Sequence, residues 1–232
     1  MSTVCTRILL VLLFCSPLAA VADDAPIEGD DLEVMQTQAF LNAHPDMKYR
    51  SEGWQAYAEG DFTQARTLLE KAASYGDKPA QALLAEMAWK GQGQPVDRAL
   101  AYAWADLAAE RGYRLFVAQR ENYWRQLDAG ERERAVEIGQ PMLATYADEV
   151  ATRKLDSHLL RERFSSANWR RRKALDLVVP GPDGLRMVIR GHAFYQDKFW
   201  EPTKYREWVD AVWTDPPKTN VEVGDPTPAG GR

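Results

Sequence analysis

Five residues between positions 61 and 76 come back farther along the chain at one fixed interval. Asp61 returns as Asp97, Ala65 as Ala101, Ala72-Ala73 as Ala108-Ala109 and Gly76 as Gly112, each about 36 residues later, a period that belongs to helical-hairpin arrays. One alanine matching another is a cheap coincidence, but a whole set in one register means two copies of one structural unit. The residue types fit such a unit. Gly60-Asp61 and Gly91-Gln92-Gly93 supply backbone freedom and a side-chain acceptor where one helix stops and the next begins. Ala65, Ala72, Ala101 and Ala108 fall at helical spacing on the second helix of each unit, where a small side chain lets two helix axes approach closely. Leu68, Leu69, Trp104 and Leu107 form the apolar stripe between them. Gly76 and Gly112 stand where a helix ends in the left-handed conformation.

These residues carry a family resemblance. Leu84-Ala85, Gly91-x-Gly93, Asp97, Ala101, Trp104, Leu107-Ala108-Ala109 and Gly112 resemble a nearly complete Sel-one-like repeat, a variant of the tetratricopeptide repeat. Gly53, Gly60-Asp61-Phe62, Ala65, Lys71-Ala72-Ala73 and Gly76 resemble a plainer tetratricopeptide unit. The second unit departs from the family pattern where Ala85 replaces the usual glycine, Ala88 the usual aromatic and Gln94 the usual valine. The resemblance implies side-by-side hairpins with a concave face for a protein or peptide partner, and no catalytic role. The partner-binding residues it suggests are Trp54, Tyr57 and Trp89 on first helices, with Tyr102 as an outer-face contact.

A third unit is fainter. Asp128 and Glu131 make a capping-box start, and Ala135, Ile138, Leu143 and Tyr146 continue a helical stripe. Pro141 predicts a kink or break. Arg114 to Leu127 and Ala129 to Ala147 are expected to cap the array. The fold class that follows is mainly α: a short α-hairpin solenoid over 35–148, then a small α+β segment over 174–223 that contains a β-hairpin.

The start of the chain reads as a secretory signal over 1–22. Arg7 gives a positive beginning, Ile8 to Phe14 an apolar run too short to span a bilayer, and Ala20-Val21-Ala22 a small-x-small cleavage site. Phe14 before Cys15 disfavours lipid attachment at that cysteine. Both cysteines of the chain, Cys5 and Cys15, fall inside this segment, so the mature protein is expected to hold no thiol, disulfide or cysteine-bound metal. The net charge of -5 becomes one unit more negative when Arg7 leaves, which argues against a nucleic-acid partner. A periplasmic or secreted location is the expectation, with no transmembrane segment.

Residues 23–34 read as a flexible acidic arm, because Asp24, Glu28, Asp30 and Asp31 have no local base to balance them. Met35 to Leu41 is expected to open the first helix, ending before His44-Pro45. Over 149–173 the chain turns basic, with Arg153, Lys154, Arg161, Arg163, Arg170, Arg171, Arg172 and Lys173. The functional reading there is an anion patch for a membrane surface or an anionic envelope polymer; a solvated helix and linker is the preferred reading. Ala174 to Val179 and Leu185 to Arg190 flank Pro180-Gly181-Pro182-Asp183-Gly184 as a β-hairpin. Beyond it, Phe194, Tyr195, Phe199, Trp200, Tyr205, Trp208 and Trp213 crowd one segment, and core is preferred over ligand platform, with one or two rings left exposed. Pro202 opens a short helix, Val221 and Val223 suggest a further strand, and 224–232 reads as a disordered tail.

No constellation reaches the standard of an active site. The three histidines, His44, His158 and His192, stand far apart without metal-ligand spacing, and no cofactor is implied. His44 reads as a loop residue and His158 as part of a polar helix face. The competing hypothesis places a peptidoglycan-binding or hydrolytic module in the C-terminal segment, carried by His192, Asp197 and Glu201 with Trp200 beside them.

Overall fold

A computed structural model describes residue 27 and residues 29–165, 174–180 and 186–214. The expected signal segment, the turn of the β-hairpin, the basic run 170–173, the strand suggested at Val221 and Val223 and the tail all lie outside the described residues.

The repeats fold as two antiparallel hairpins. The first joins α3 (Pro45–Ala58) to α4 (Phe62–Ala73), and the second joins α5 (Lys78–Lys90) to α6 (Arg98–Ala109). Each second helix starts in the same way: Asp61 accepts from Gln64 N at 3.0 Å, and Asp97 accepts from Leu100 N at 2.9 Å. Gly76 and Gly112 have φ of +81° and +73°, the left-handed backbone that only glycine adopts without strain. Ala65, Ala72, Ala101 and Ala108 are all fully buried. Ala72 sits in the core shared by α3, α4, α5 and α6; Ala108 is buried one repeat later, with Ala82 of α5 and Phe116 of the next helix.

The third unit comprises α7 (Arg114–Gln126) and α8 (Ala129–Tyr146), and both pack on α6. Asp128 and Glu131 form the expected capping box. The break expected at Pro141 does not occur: α8 runs through it as one helix. A proline inside a helix removes one hydrogen bond, and here Met142 and Tyr146, the residues that follow, are held against the core of the first two hairpins.

A second core forms where the two ends of the chain meet. Val34 of α1 (Gly29–Met35), Phe40 of α2 (Gln38–Ala43) and Leu155 and Leu159 of α9 (Asp148–Ser165) join Val179 and Ile189 and the C-terminal aromatics. The strands β1 (Asp176–Pro180) and β2 (Arg186–Arg190) are antiparallel, with Val178 opposite Val188 and Asp176 opposite Arg190. Three helices follow: α10 (Gly191–Phe194), α11 (Asp197–Trp200) and α12 (Pro202–Thr214).

Three expectations need correction. The acidic arm is helical from Gly29, because its carboxylates find cations far off in sequence: Asp31 meets Lys198 at 2.8 Å and Asp30 meets Arg190 at 2.7 Å. The basic stretch, as far as Ser165, is the expected helix but not a solvated one, since its Ala151, Leu155 and Leu159 are buried. The C-terminal segment is not a separate module, since it shares its core with α1, α2 and α9.

Candidate functional site

On the first-helix side of the array, α1 and α2 lean beside α3 and leave a groove of about 340 Å³ lined by Leu32, Met35, Leu41, Met47, Arg50 and Trp54. Trp54 is 50% exposed and Leu32 49%, so two large apolar groups of the groove's lining meet water. Trp54 stands edge-on to Tyr57 at 5.9 Å, and Tyr57 in turn to Phe62 at 5.4 Å, so the rim is a row of rings. The Tyr57 hydroxyl donates to Gln92 Oε1 at 3.2 Å, fixing this rim to the α5–α6 turn. Arg50 is held by Asp77, its Nη1 2.6 Å from Oδ2, which leaves the groove dominated by apolar groups.

The other two aromatics singled out from the sequence lie elsewhere. Trp89 is half-buried and stacks on Tyr123 of α7 with centroids 4.2 Å apart, while the Arg98 guanidinium covers it at 5.2 Å. Tyr102 is half-buried against Trp124 at 4.8 Å. Both belong to a small cluster around Ala99, Leu127 and Ala135, where α6, α7 and α8 meet. Sequence reasoning missed Leu32, Met35, Leu41 and Met47. Their only signal was the one-turn spacing of Leu32 and Met35, masked by the four acids around them.

Three of the four residues of the competing hypothesis are engaged in contacts within the C-terminal helices. Trp200 is buried and its indole N–H donates to the Phe194 carbonyl at 2.7 Å. Asp197 and Glu201 each lie 3.3 Å from Lys204 Nζ. His192 is exposed at the start of α10. Phe194, Tyr195, Phe199, Tyr205 and Trp208 are core, and Trp213 is half-buried against Phe116.

A buried polar seam joins the array to the C-terminal helices. His44, expected in a loop, is fully buried: it stacks on Phe40 at 3.8 Å, with Nδ1 2.8 Å from the Phe40 carbonyl and Nε2 2.7 Å from that of Phe199. Burial pushes its pKa down to about 4, against the opposing pull of those two carbonyls. His158 is half-buried, edge-on to Tyr75 rather than on an open polar face. Next to His44 in sequence, Asp46 accepts from the Tyr205 hydroxyl, and Asp77 caps α5 at Ala80 N. Burial raises both carboxyls, Asp77 to about 6, although Arg50 pulls each down. Lys78, only 1% exposed, donates to the Leu107 carbonyl at 2.9 Å and to Glu110 at 2.6 Å. Among the described residues no group of His, Cys, Asp and Glu side chains is arranged to hold a metal ion, and no helix is long and apolar enough to cross a membrane.

Fold and site together define a helical-repeat protein: consecutive α-hairpins with an open, ring-edged groove and a closing C-terminal layer. No protein-family model matches the chain, and no curated protein matches it. Among solved structures, it is similar to the crystal structure of c5321, a protective antigen present in uropathogenic Escherichia coli strains displaying an SLR fold. The two are 29% identical over 47% of this chain, which spans 24% of that protein's length, with a TM-score of 0.41.

Proposed function

We propose that this protein is an exported interaction scaffold that binds a protein or peptide by seating apolar side chains in the groove beside Trp54. The observation that carries this reading is the half-exposed Trp54 over a preformed cleft of leucine and methionine. Tryptophan at the centre of a partly enclosed apolar site dominates binding energies, commonly by about 2 kcal/mol or more, and methionine adapts its shape to different ligands. Helices on either side hold the cleft open, so little ordering opposes association. The apolar run and small-x-small site at 1–22 support a groove that works outside the cytoplasm.

The test is affinity capture from the native cell envelope with the parent chain and with Trp54→Ala, each checked for native circular dichroism. A partner retained by the parent and lost by the variant supports the reading. Equal capture by both removes the groove from it.

A further inference from the structure

A second cleft, of about 360 Å³, is lined by α4, α5, α6 and α8. Its apolar lining includes Leu84 and Met87 of α5, Trp104 of α6 and Met142 of α8. Three polar residues join them: Arg66 and Glu70 of α4 and Gln94. The size falls at the lower end of small-molecule pockets, roughly 300–1,000 Å³, and an apolar wall with few convergent polar groups is their usual composition.

The two charges are incompletely partnered. Arg66 Nη1 donates to Gln94 Oε1 at 3.1 Å, but its Nε–H is buried with no acceptor. Glu70 is half-buried, and among the described residues no donor or cation lies within bonding distance of its carboxylate. Burial raises its pKa despite the nearby Arg66. A buried donor without an acceptor is unfavourable, and a carboxylate partly withdrawn from water is favoured by a cation brought beside it. Arg66 and Glu70, both in the cleft's lining, offer an occupant a cation and an acid side by side.

Positions four apart on a helix hold their side chains about 5–6 Å from one another on one face. An anion alone would satisfy Arg66 and be repelled by Glu70; a cation alone would do the reverse. A ligand carrying both signs on adjacent atoms, with an apolar body, suits the pair and the wall together. We propose that this cleft binds a free apolar α-amino acid, its carboxylate on Arg66, its ammonium group on Glu70 and its side chain among Leu84, Met87, Trp104 and Met142.

Isothermal titration of the full chain with L-leucine and with L-phenylalanine tests this directly. Saturable binding of at least one is expected, with the Trp104 indole N–H resonance moving in the same titration. N-acetyl-L-leucine amide, which has the side chain and neither charge, is expected not to bind. Arg66→Gln and Glu70→Gln should each weaken binding at least tenfold, which corresponds to about 1.4 kcal/mol. Absence of saturable binding by both amino acids, equal binding of the uncharged analogue, or parent-like affinity in both variants would overturn the proposal.

Discussion

The Tyr205 hydroxyl donates to Oδ2 of Asp46 over 2.6 Å, bonding the last described helix to the first turn of α3 across 159 residues of sequence. Tyr205 is 1% exposed and Asp46 5%, so neither has water to fall back on. Burial, reinforced by the carboxylate, holds the phenol well above its ordinary pKa and keeps it a donor. The other carboxylate oxygen of Asp46 already lacks a partner. Tyr205→Phe removes the donor and keeps the ring, leaving the acid more isolated; the expected cost is about 1–3 kcal/mol. At about 2–4 °C per kcal/mol for a chain of this size, the midpoint of thermal unfolding should fall by several degrees in a circular-dichroism melt. An unchanged midpoint would mean that the seam adds nothing to stability.

Ala108 has no exposed surface and stands in the seam between α6 and its neighbours. Ala108→Leu forces a larger side chain into filled space, and overfilling of this kind costs about 1–3 kcal/mol. Ala58→Leu, at an exposed position near the end of α3, is the matched control and should change stability by no more than about 0.5 kcal/mol. Urea unfolding of both variants measures the difference.

Asp77 titrates in a window reachable by ordinary buffers. Its folded pKa is about 6, raised by burial above the ordinary value of 3.8. The folded state therefore binds the proton more tightly, and stability from this group rises as pH falls from about 7 towards 4. His44 acts in the opposite sense, since its folded pKa lies below its ordinary one, so stability from that group is lost on acidification. The Asp77 contribution is isolated by subtracting Asp77→Asn, whose amide still caps α5. Relative to that variant, the parent should gain on the order of 2 kcal/mol between pH 7 and pH 4.5, measured by denaturant unfolding. A difference that is flat or of opposite sign would show the Arg50 ion pair outweighing burial.

The proposed export has a simple chemical readout. Intact-mass measurement of protein recovered from the envelope fraction should give a chain beginning at Asp23, without a lipid adduct. A chain retaining Met1 to Ala22 would contradict the cleavage site.

Local pattern made the array legible. Asp61 and Asp97, Gly76 and Gly112, and the buried alanines act through their own turn of helix and their immediate neighbours, so spacing alone located them. The second core was hidden because its partners are distant in sequence. Asp31 looked solvated until Lys198 was brought to it, and His44 looked like a loop residue until Phe199 offered its carbonyl. The C-terminal rings are core, the preferred reading, but none is left exposed, contrary to expectation, and nothing in their order indicates that the core is shared with α1 and α2. For the groove, Trp54 was visible as an aromatic on a first helix. The surrounding Leu32, Met35, Leu41 and Met47 were not, because the cleft exists only once three separate helices converge.

The most direct measurement places a photoreactive phenylalanine at position 54 and, separately, at Val136, which is 57% exposed on α8. Each variant is irradiated in cells that export the protein, and adducts are resolved by mass. A discrete cross-linked partner from position 54, absent from position 136, is the predicted result. The same adducts from both positions, or none from position 54, would contradict the assignment of the Trp54 groove as the binding face.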